Sequence, residues 1–595
     1  MNDWLLFAVF AAKAFFVVMF GMNVAVLLTW ADRRQGAVIS DRVGPNRAVI
    51  WLPTPVAQVL LVLPALAAAA AVIGLVATTD VEGTVLTTRA VVFSHLAILM
   101  TWLTTLLIAA RVRSRGPKTK FDVFVASLGD PRRIVYFGLG AHLFTVLAAG
   151  ALRGSEHGPT LRDFGYRGGA ALLAAVILGG AAYAAYSFRR QRRVGLRLFG
   201  LLHPAADGLK TLFKEDHIPP NADRFLHGLA PIISFFPALV VLAVVPFGDT
   251  LCFGAGDANG AIDFARIATQ VPREGVCAEG AIKLQVVDLN VGILYFFALA
   301  GTGIVGAALA GWASDNKFSL LGGLRAASQM VSYEVTLGMT IIGALMIYGT
   351  LRLDQMVRWQ VENTWGIFVQ PLAFVLFFAA AVAESKRIPF DIPEGESEIV
   401  AGYYTEYSGM KFAMFFFAEY VAVVSSSALI TALFLGGWHL PFVHRDGLHI
   451  AIGDVVLLSE QLPHVFVIVL GVLAFVGKTV LLCWLQLTIR WTLPRFRYDQ
   501  LMRLGWRKLL PASLLNILAT GLIVLALQEA GAGVQHGLRV LGDLSEGLVA
   551  LVGAGMFLWL VAFLLKPVHH RRLLAATAAQ FAAAMGGTRA SRMSA

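Results

Sequence analysis

Cysteine, charge and metal-binding spacings are what this chain has least of. Its 595 residues include three cysteines, none in a CxxC arrangement, which excludes a cysteine-ligated iron–sulfur cluster within the chain. There is no HExxH and no dinucleotide glycine loop on a strand, so electrons for any redox step must come from a partner. Charged residues make up 14% of the chain against 57% hydrophobic, the balance of a polytopic membrane protein. The apolar runs lack the alternation of barrel strands, so helices span the membrane and the fold class is all-α. The net charge of +11 is no nucleic-acid footprint, because the bases concentrate in particular loops. The first run, Trp4 to Trp30, has no basic segment before it and is too long for a secretory signal. It reads as a retained span.

About thirteen such runs are present, at 4–30, 52–77, 91–110, 134–152, 169–188, 228–247, 288–312, 331–350, 366–384, 412–436, 463–489, 509–528 and 545–565. Each can cross a roughly 30 Å hydrocarbon layer as a helix. Lys and Arg crowd the loops 31–47, 111–133, 189–214 and 490–508 and the tail from Lys566. These fall on one side if all thirteen spans are real, with the first terminus outside and the last inside. In 193–225, Leu201, Leu202, Ala205, Leu209, Leu212 and Phe213 recur at helical spacing, with Asp207, Lys210, Lys214 and Glu215 interleaved. This pattern predicts an amphipathic helix in the cytoplasmic interface. Cys483 lies in an apolar run and reads as packed. Cys252 and Cys277 share a polar segment outside the cytoplasm, where a disulfide can persist. A bridge and two unpaired thiols both remain open, since spacing does not show whether their Cα atoms approach.

The chemistry concentrates between Glu384 and Lys411. Six carboxylates (Glu384, Asp391, Glu394, Glu396, Glu398 and Glu406) sit in one connection between apolar runs, offset only by Lys386 and Arg387 before Lys411. Desolvating charge is costly, and acids crowded in a partly dry site acquire raised, coupled pKa values suited to proton relay. The plainer reading is a solvated acidic loop. Tyr403, Tyr404 and Tyr407 could hydrogen-bond within such a path or pack at the interface. Lys13 and Lys478 lie inside apolar runs without a partner evident in the sequence. His95 and His142 read as helix packing rather than haem ligation.

This acidic stretch resembles the long loop between transmembrane helices five and six of the quinone-chamber membrane subunit of respiratory complex I, the NADH-quinone oxidoreductase H-subunit family. Four other blocks agree: Arg42-Val-Gly-Pro-Asn-Arg47; Gly200-Leu-Leu-His-Pro through Lys214-Glu-Asp216; Ala310-Gly-Trp-Ala-Ser314 with Gly322-Gly-Leu-Arg325; and Leu493-Pro-Arg-Phe-Arg-Tyr-Asp-Gln-Leu-Met502. The resemblance covers residues 1–47 and 193–527. It implies a first helix and quinone-site turn in 1–47, an insertion with about four extra spans in 48–192, and an amphipathic interfacial helix in 193–227. A core with the quinone chamber and the acidic loop 384–411 follows in 228–528, then an extra helix and cytoplasmic tail in 529–595.

The resemblance further implies that Arg47, Asp207, Lys210 and Asp391 belong to the quinone chamber. Glu334, Glu384, Glu394, Glu396, Glu398 and Glu406 would form a proton relay toward neighbouring pumping subunits. Glu334 is expected near the start of one span and Glu384 near the end of another, both close to cytoplasmic depth. Plainer roles compete: Arg47 as an anchor to lipid phosphate, and salt bridges of the two glutamates to Arg325 or Lys386. Arg325, Arg490, Arg495 and Arg497 are expected to balance the acidic loop or to dock the hydrophilic arm. Quinone is then a substrate, with no bound redox cofactor on this chain. The implied partners are the other complex I membrane subunits, the hydrophilic iron–sulfur and quinone-site subunits, and membrane lipids. The implied location is a bacterial inner membrane, with a periplasmic N-terminus and a cytoplasmic C-terminus. Such a chain would be one component of a proton-translocating NADH:quinone oxidoreductase, with no complete activity alone. The alternative is the membrane anchor of an energy-converting hydrogenase or formate hydrogenlyase.

Overall fold

The computed structural model describes residues 3–40, 44–45, 50–78, 100, 193–196, 200–253, 277, 280–452, 455–462, 464–529 and 532–565. The chain divides into two compact units, residues 1–49 with 197–551 and residues 50–196 with 552–595. In the second unit β1 (Ile50–Pro53) leads into helix α2 (Thr54–Thr78) and pairs antiparallel with β2 (Arg193–Leu196). The expected spans at 91–110, 134–152 and 169–188, with His95 and His142, lie outside the described residues.

The first unit opens with α1 (Asp3–Ile39). After it come α3 (Leu202–Phe213), α4 (Arg224–Val240), α5 (Gly292–Ala313), α6 (Lys317–Tyr348), α7 (Leu353–Glu362) and α8 (Pro371–Glu384). Then follow α9 (Gly409–Phe434), α10 (His464–Thr492), α11 (Tyr498–Leu504), α12 (Leu510–Gln528) and the first part of α13 (Ala532–Leu565), whose residues from Val552 on belong to the second unit. A π turn, Gly505–Leu509, makes α11 and α12 one continuous rod. Among the described residues seven helices are long and apolar enough to cross a membrane, and α8 is a shorter apolar helix beside them. The architecture is an all-α polytopic membrane bundle.

Two helices run further than hydropathy suggests. The α1 helix continues past Trp30 to Ile39, because Asp32, Arg33 and Arg34 end the apolar run without breaking a helix. The α6 helix begins at Lys317, where the Asn316 side chain caps it by accepting from the Phe318 N–H at 2.9 Å. Glu334 is therefore half way along its helix rather than near the helix start. Lys317 and Arg325 lower the local hydropathy and hid the first turns.

The amphipathic helix is shorter than the segment 193–227 assigned to it. It covers only Leu202–Phe213, and Arg193–Leu196 is strand β2. The run His217-Ile-Pro-Pro220 then leads into a turn closed by the Ala222 N–H on the Pro219 carbonyl, after which Asp223 caps α4 by accepting from the Phe225 and Leu226 N–H groups.

Small residues let the central helices touch. A Cβ at Gly311 of α5 would stand 2.7 Å from the Ser319 carbonyl oxygen of α6, and one at Gly323 would stand 3.0 Å from the Ala307 carbonyl oxygen. With lipid outside, such close backbone packing replaces the hydrophobic drive available in water. The main core joins Tyr333, Leu337 and Ile341 of α6 to Leu376, Phe377 and Ala380 of α8 and Leu429, Leu433 and Phe434 of α9.

At one end of the bundle, β3 (Thr250–Phe253) pairs with β4 (Gly280–Lys283). Cys252 and Cys277 are bridged, with Cα atoms 5.4 Å apart, which closes the question the sequence left open. Arg358 donates to Asp249 at 2.9 Å and Arg445 approaches it to 3.0 Å, tying this hairpin to α7 and to the α9–α10 connection. That connection carries a three-stranded sheet of β5 (Val443–His444), β6 (Gly447–Ile452) and β7 (Val455–Gln461). Lys478 of α10 finds partners that sequence could not show: its ammonium donates to the carbonyls of Leu435 (2.7 Å), Gly437 (3.1 Å) and His439 (2.5 Å) just past the end of α9. Three carbonyls of one turn thus hold the ammonium, the partners a charge inside an apolar run requires. Cys483 is buried and free.

Candidate functional site

The acidic connection between α8 and α9 is folded against the bundle. Gln329 of α6 donates through its amide to the carbonyls of Ala383 and Phe390, both at 2.7 Å, which pins the exit from α8. Phe390 stacks on Phe496, with ring centres 5.4 Å apart. Further on, Gly402 has φ +56°, and a Cβ there would stand 1.7 Å from the Pro393 carbonyl oxygen. Gly322 of α6 meets the same turn so closely that a Cβ would stand 2.6 Å from the Gly402 Cα. Only glycine fits both positions, and the contact sets Tyr403, fully buried, beneath the loop.

From there a line of hydrogen bonds runs inward. Lys386 Nζ donates to Tyr403 Oη (3.0 Å), Tyr403 Oη donates to Tyr404 Oη (2.7 Å), and Tyr404 Oη donates to Glu419 Oε1. Glu419, on α9, is buried, and its other oxygen lies 3.3 Å from Arg387 Nη2. The Arg387 guanidinium sits 3.9 Å from the ring centre of Tyr420. Tyr420 Oη donates to Asp32 Oδ2 at 2.8 Å. Asp32, buried on α1, also accepts from Arg490 Nη1 (2.6 Å) and Trp491 Nε1 (2.8 Å) of α10. A polar path thus joins the start of the acidic loop to α1 and α10.

Electrostatics within the loop follow from burial. Asp391 accepts from Arg495 Nη2 at 3.0 Å. Even so, its pKa is pushed up to about 8, chiefly by desolvation and then by the charges of Glu394 and Glu419, with Arg495 and Arg387 pulling the other way. Burial lowers the Lys386 pKa against the attraction of Glu419. Burial disfavours charge on Arg387 too, but Glu419, Tyr420 and Asp32 more than offset it and hold the guanidinium charged. Burial and then the Glu419 charge raise the pKa values of Tyr403 and Tyr404 well above the ordinary phenol, so both remain donors.

Glu384 lines a cavity of about 70 Å³ together with Lys386 and Glu419. Ser234, Ser425 and Ser426 add hydroxyls, while Phe296, Ala300 and Met330 supply apolar wall. That space is large and polar enough to hold water. Glu334 is half-buried, and a Cβ at Gly301 would stand 2.7 Å from its Oε1, so the acid fills a notch left by that glycine on α5. Glu334 and Glu384 lie within electrostatic reach of each other.

The remaining acids lie further out. Glu398 is exposed and accepts from Arg325 Nη1 at 2.7 Å, so Arg325 serves the loop rather than Glu334. Glu406 Oε1 accepts from Asn316 Nδ2 at 2.7 Å. Glu394 is half-buried beside Asp391. Glu396 begins a one-turn helix, Glu396–Ile399, and its side chain lies outside what is described. On α3, Asp207 pairs with Arg33 of α1 at 2.6 Å, with both side chains about half exposed, and Lys210 is exposed. The pair ties α3 to the end of α1, and α3 also packs against α9. Beyond it, Lys411 holds Asp216 at 2.9 Å. Arg47 lies outside the described residues. Of the arginines expected to balance the loop, Arg325 and Arg495 do so, whereas Arg490 serves Asp32.

Glu419 and Asp32 are buried acids of this path that sequence reasoning missed. Glu419 had a signal, as the lone carboxylate in the apolar run 412–436. Asp32 had none, since it lies just beyond the expected end of the first span, among arginines.

Comparison with known proteins agrees with this picture. The family model described as NADH dehydrogenase matches residues 170–521, a stretch holding every proposed site residue except Arg47. The second of the NADH-quinone oxidoreductase H subunits of Geobacter metallireducens is 45% identical over 351 residues, covering 58% of this chain and 90% of that protein. The first H subunit of Cytophaga hutchinsonii is 41% identical over 353 residues, covering 58% of this chain and 92% of that protein. The H subunit of Bacillus thuringiensis is 42% identical over 369 residues, with 60% and 94% covered. With a match across more than half of this chain and nearly all of each relative, the chain belongs to the H-subunit family of NADH-quinone oxidoreductase.

Proposed function

We propose that this chain is the membrane subunit that builds the quinone chamber of a proton-pumping NADH:quinone oxidoreductase and couples quinone reduction to proton movement. The names of its relatives support the quinone-oxidoreductase branch over an energy-converting hydrogenase anchor. The observation that carries the coupling role is the unbroken polar path from the acidic loop through Lys386, Tyr403 and Tyr404 to Glu419, alongside a cavity shared by Glu384, Lys386 and Glu419. Asp207, Lys210, Arg47 and Asp391 flank the chamber. A partner's terminal iron–sulfur cluster supplies the electrons to quinone held between that hydrophilic partner and this chain.

Reduction changes the charge near Asp391, Glu394, Glu396, Glu398 and Glu406. The loop then exchanges protons with Glu384 and Glu334, toward neighbouring membrane subunits. The two protonation arrangements need only be stabilised differently by quinone and by its reduced form. Bridged cysteines on the α4–α5 connection, three helices (α5, α6 and α8) before the acidic loop and so on the opposite side, support an inner-membrane orientation with that loop in the cytoplasm and the N-terminus in the periplasm.

The test is Glu384→Gln in the assembled complex. Quinone-linked turnover and proton pumping should fall together, while NADH oxidation by an artificial acceptor stays intact. Full pumping in that variant would remove Glu384 from the path.

A further inference from the structure

The α9–α10 connection and the first half of α13 bring together a group of side chains remote from the acidic loop. His439, His444 and Glu546 each offer one ligand atom, and these atoms all lie within 4.8 Å of one another. His439 and Glu546 are buried, at 2% and 8% exposure. Arg445, next to His444, ties the same connection to Asp249 beside the disulfide hairpin.

We propose that His439, His444 and Glu546 form a binding site for a divalent late transition-metal ion, with zinc the best fit. Two imidazoles and a carboxylate are a borderline-soft donor set that suits zinc over calcium or magnesium. The spacing agrees. His439 Nε2 and Glu546 Oε1 are 3.9 Å apart. That exceeds a hydrogen bond, and it needs only a small contraction to reach the about 3.3 Å between two ligands of a tetrahedral ion with bonds of about 2.0–2.1 Å.

Two fixtures hold the donors in place. Glu546 Oε2 accepts from the Phe442 N–H at 3.1 Å, which turns Oε1 toward His439. Lys478 grips the His439 carbonyl at 2.5 Å, although its ammonium opposes a nearby cation. Three protein donors leave the fourth tetrahedral position to solvent, so the ion would staple α13 to the sheet-bearing connection.

The site carries its own competitor. Trp365 Nε1 donates to His439 Nδ1 at 3.1 Å, which leaves the ring proton of neutral His439 on Nε2. A metal on Nε2 sends that proton to Nδ1, where it faces the indole N–H. The ion must therefore displace one hydrogen bond. Removing the indole donor should strengthen binding by about tenfold, the worth of one buried hydrogen bond.

The experiment uses the full-length chain in lipid nanodiscs, stripped with a chelator and titrated with Zn²⁺ against a chromophoric competitor. One zinc ion should bind per chain. E546Q, which can keep the Phe442 contact, and H444A should each lose at least about tenfold in affinity. W365F should gain, and a gain cannot arise from misfolding. Absence of stoichiometric uptake, E546Q binding like the wild type, or W365F binding no more tightly would each overturn the site.

Discussion

Replacing Asp391 by asparagine separates two protonation states of the loop that share one geometry. With a pKa pushed up to about 8, the folded protein keeps a proton on Asp391 that the unfolded chain releases near pH 4. Between those limits the folded state binds more protons than the unfolded one, so this group makes stability fall as pH rises. The slope is at most about 1.4 kcal/mol per pH unit, and the effect levels off above the folded pKa. At pH 6 the side chain is almost entirely neutral, and asparagine imitates it. Asparagine releases no proton on unfolding, so we expect D391N to lie within about 1 kcal/mol of wild type near pH 4 and to become the more stable of the two as pH rises, by about 3 kcal/mol at pH 6 and by more at pH 8.5. The opposite case is an ionised Asp391 paired with Arg495 across the 3.0 Å contact. Breaking such a buried pair costs about 3–5 kcal/mol at neutral pH. Thermal midpoints of the detergent-solubilised chain, taken from pH 5 to 9 for both proteins, distinguish them. A large loss at pH 6, or pH dependence as steep in D391N as in wild type, would refute the assignment of the proton to Asp391.

Three further outcomes are expected. Tyr404→Phe removes the hydroxyl that links Tyr403 to Glu419 in the path, and should slow quinone-linked turnover by about tenfold or more while leaving artificial-acceptor activity unchanged; an unchanged rate would place the path elsewhere. Gly402→Ala puts a Cβ 1.7 Å from the Pro393 carbonyl oxygen at a left-handed φ. Limited proteolysis of the 385–408 loop should then rise sharply, and wild-type protection would contradict the close fit. Cys252→Ser with Cys277→Ser opens a loop of sequence separation 25. By chain entropy this should cost about 3.5 kcal/mol locally, read as faster hydrogen exchange in β3 and β4; unchanged exchange there would mean the Asp249 ion pairs suffice.

How much was legible in the sequence differs from element to element. Among the described residues, apolar runs long enough to span a bilayer located the helices, because the cost of unsatisfied backbone in lipid leaves few alternatives. The same scale misplaced the beginning of α6, since a charged residue lowers hydropathy without ending a helix. The acidic loop announced itself by composition alone. Its sorting did not: Asp391 is buried, Glu398 faces Arg325 in the open, and Glu406 meets Asn316. Those assignments depend on how the loop folds back across Gly322 and Gly402.

Sequence alone therefore determined the class of molecule, its membrane helices and the stretch where its acids gather. These properties follow from transfer energies that add up locally along the chain. The tertiary structure decided which charges face one another: Glu419 with Arg387 and Tyr404, Asp32 with Arg490 and Tyr420, Lys478 with the carbonyls beyond α9. The Asp32–Arg490 pair alone lies 458 positions apart in the chain. A buried charge is tolerated only where a partner from another helix reaches it, and no local pattern in the sequence records which helix that is.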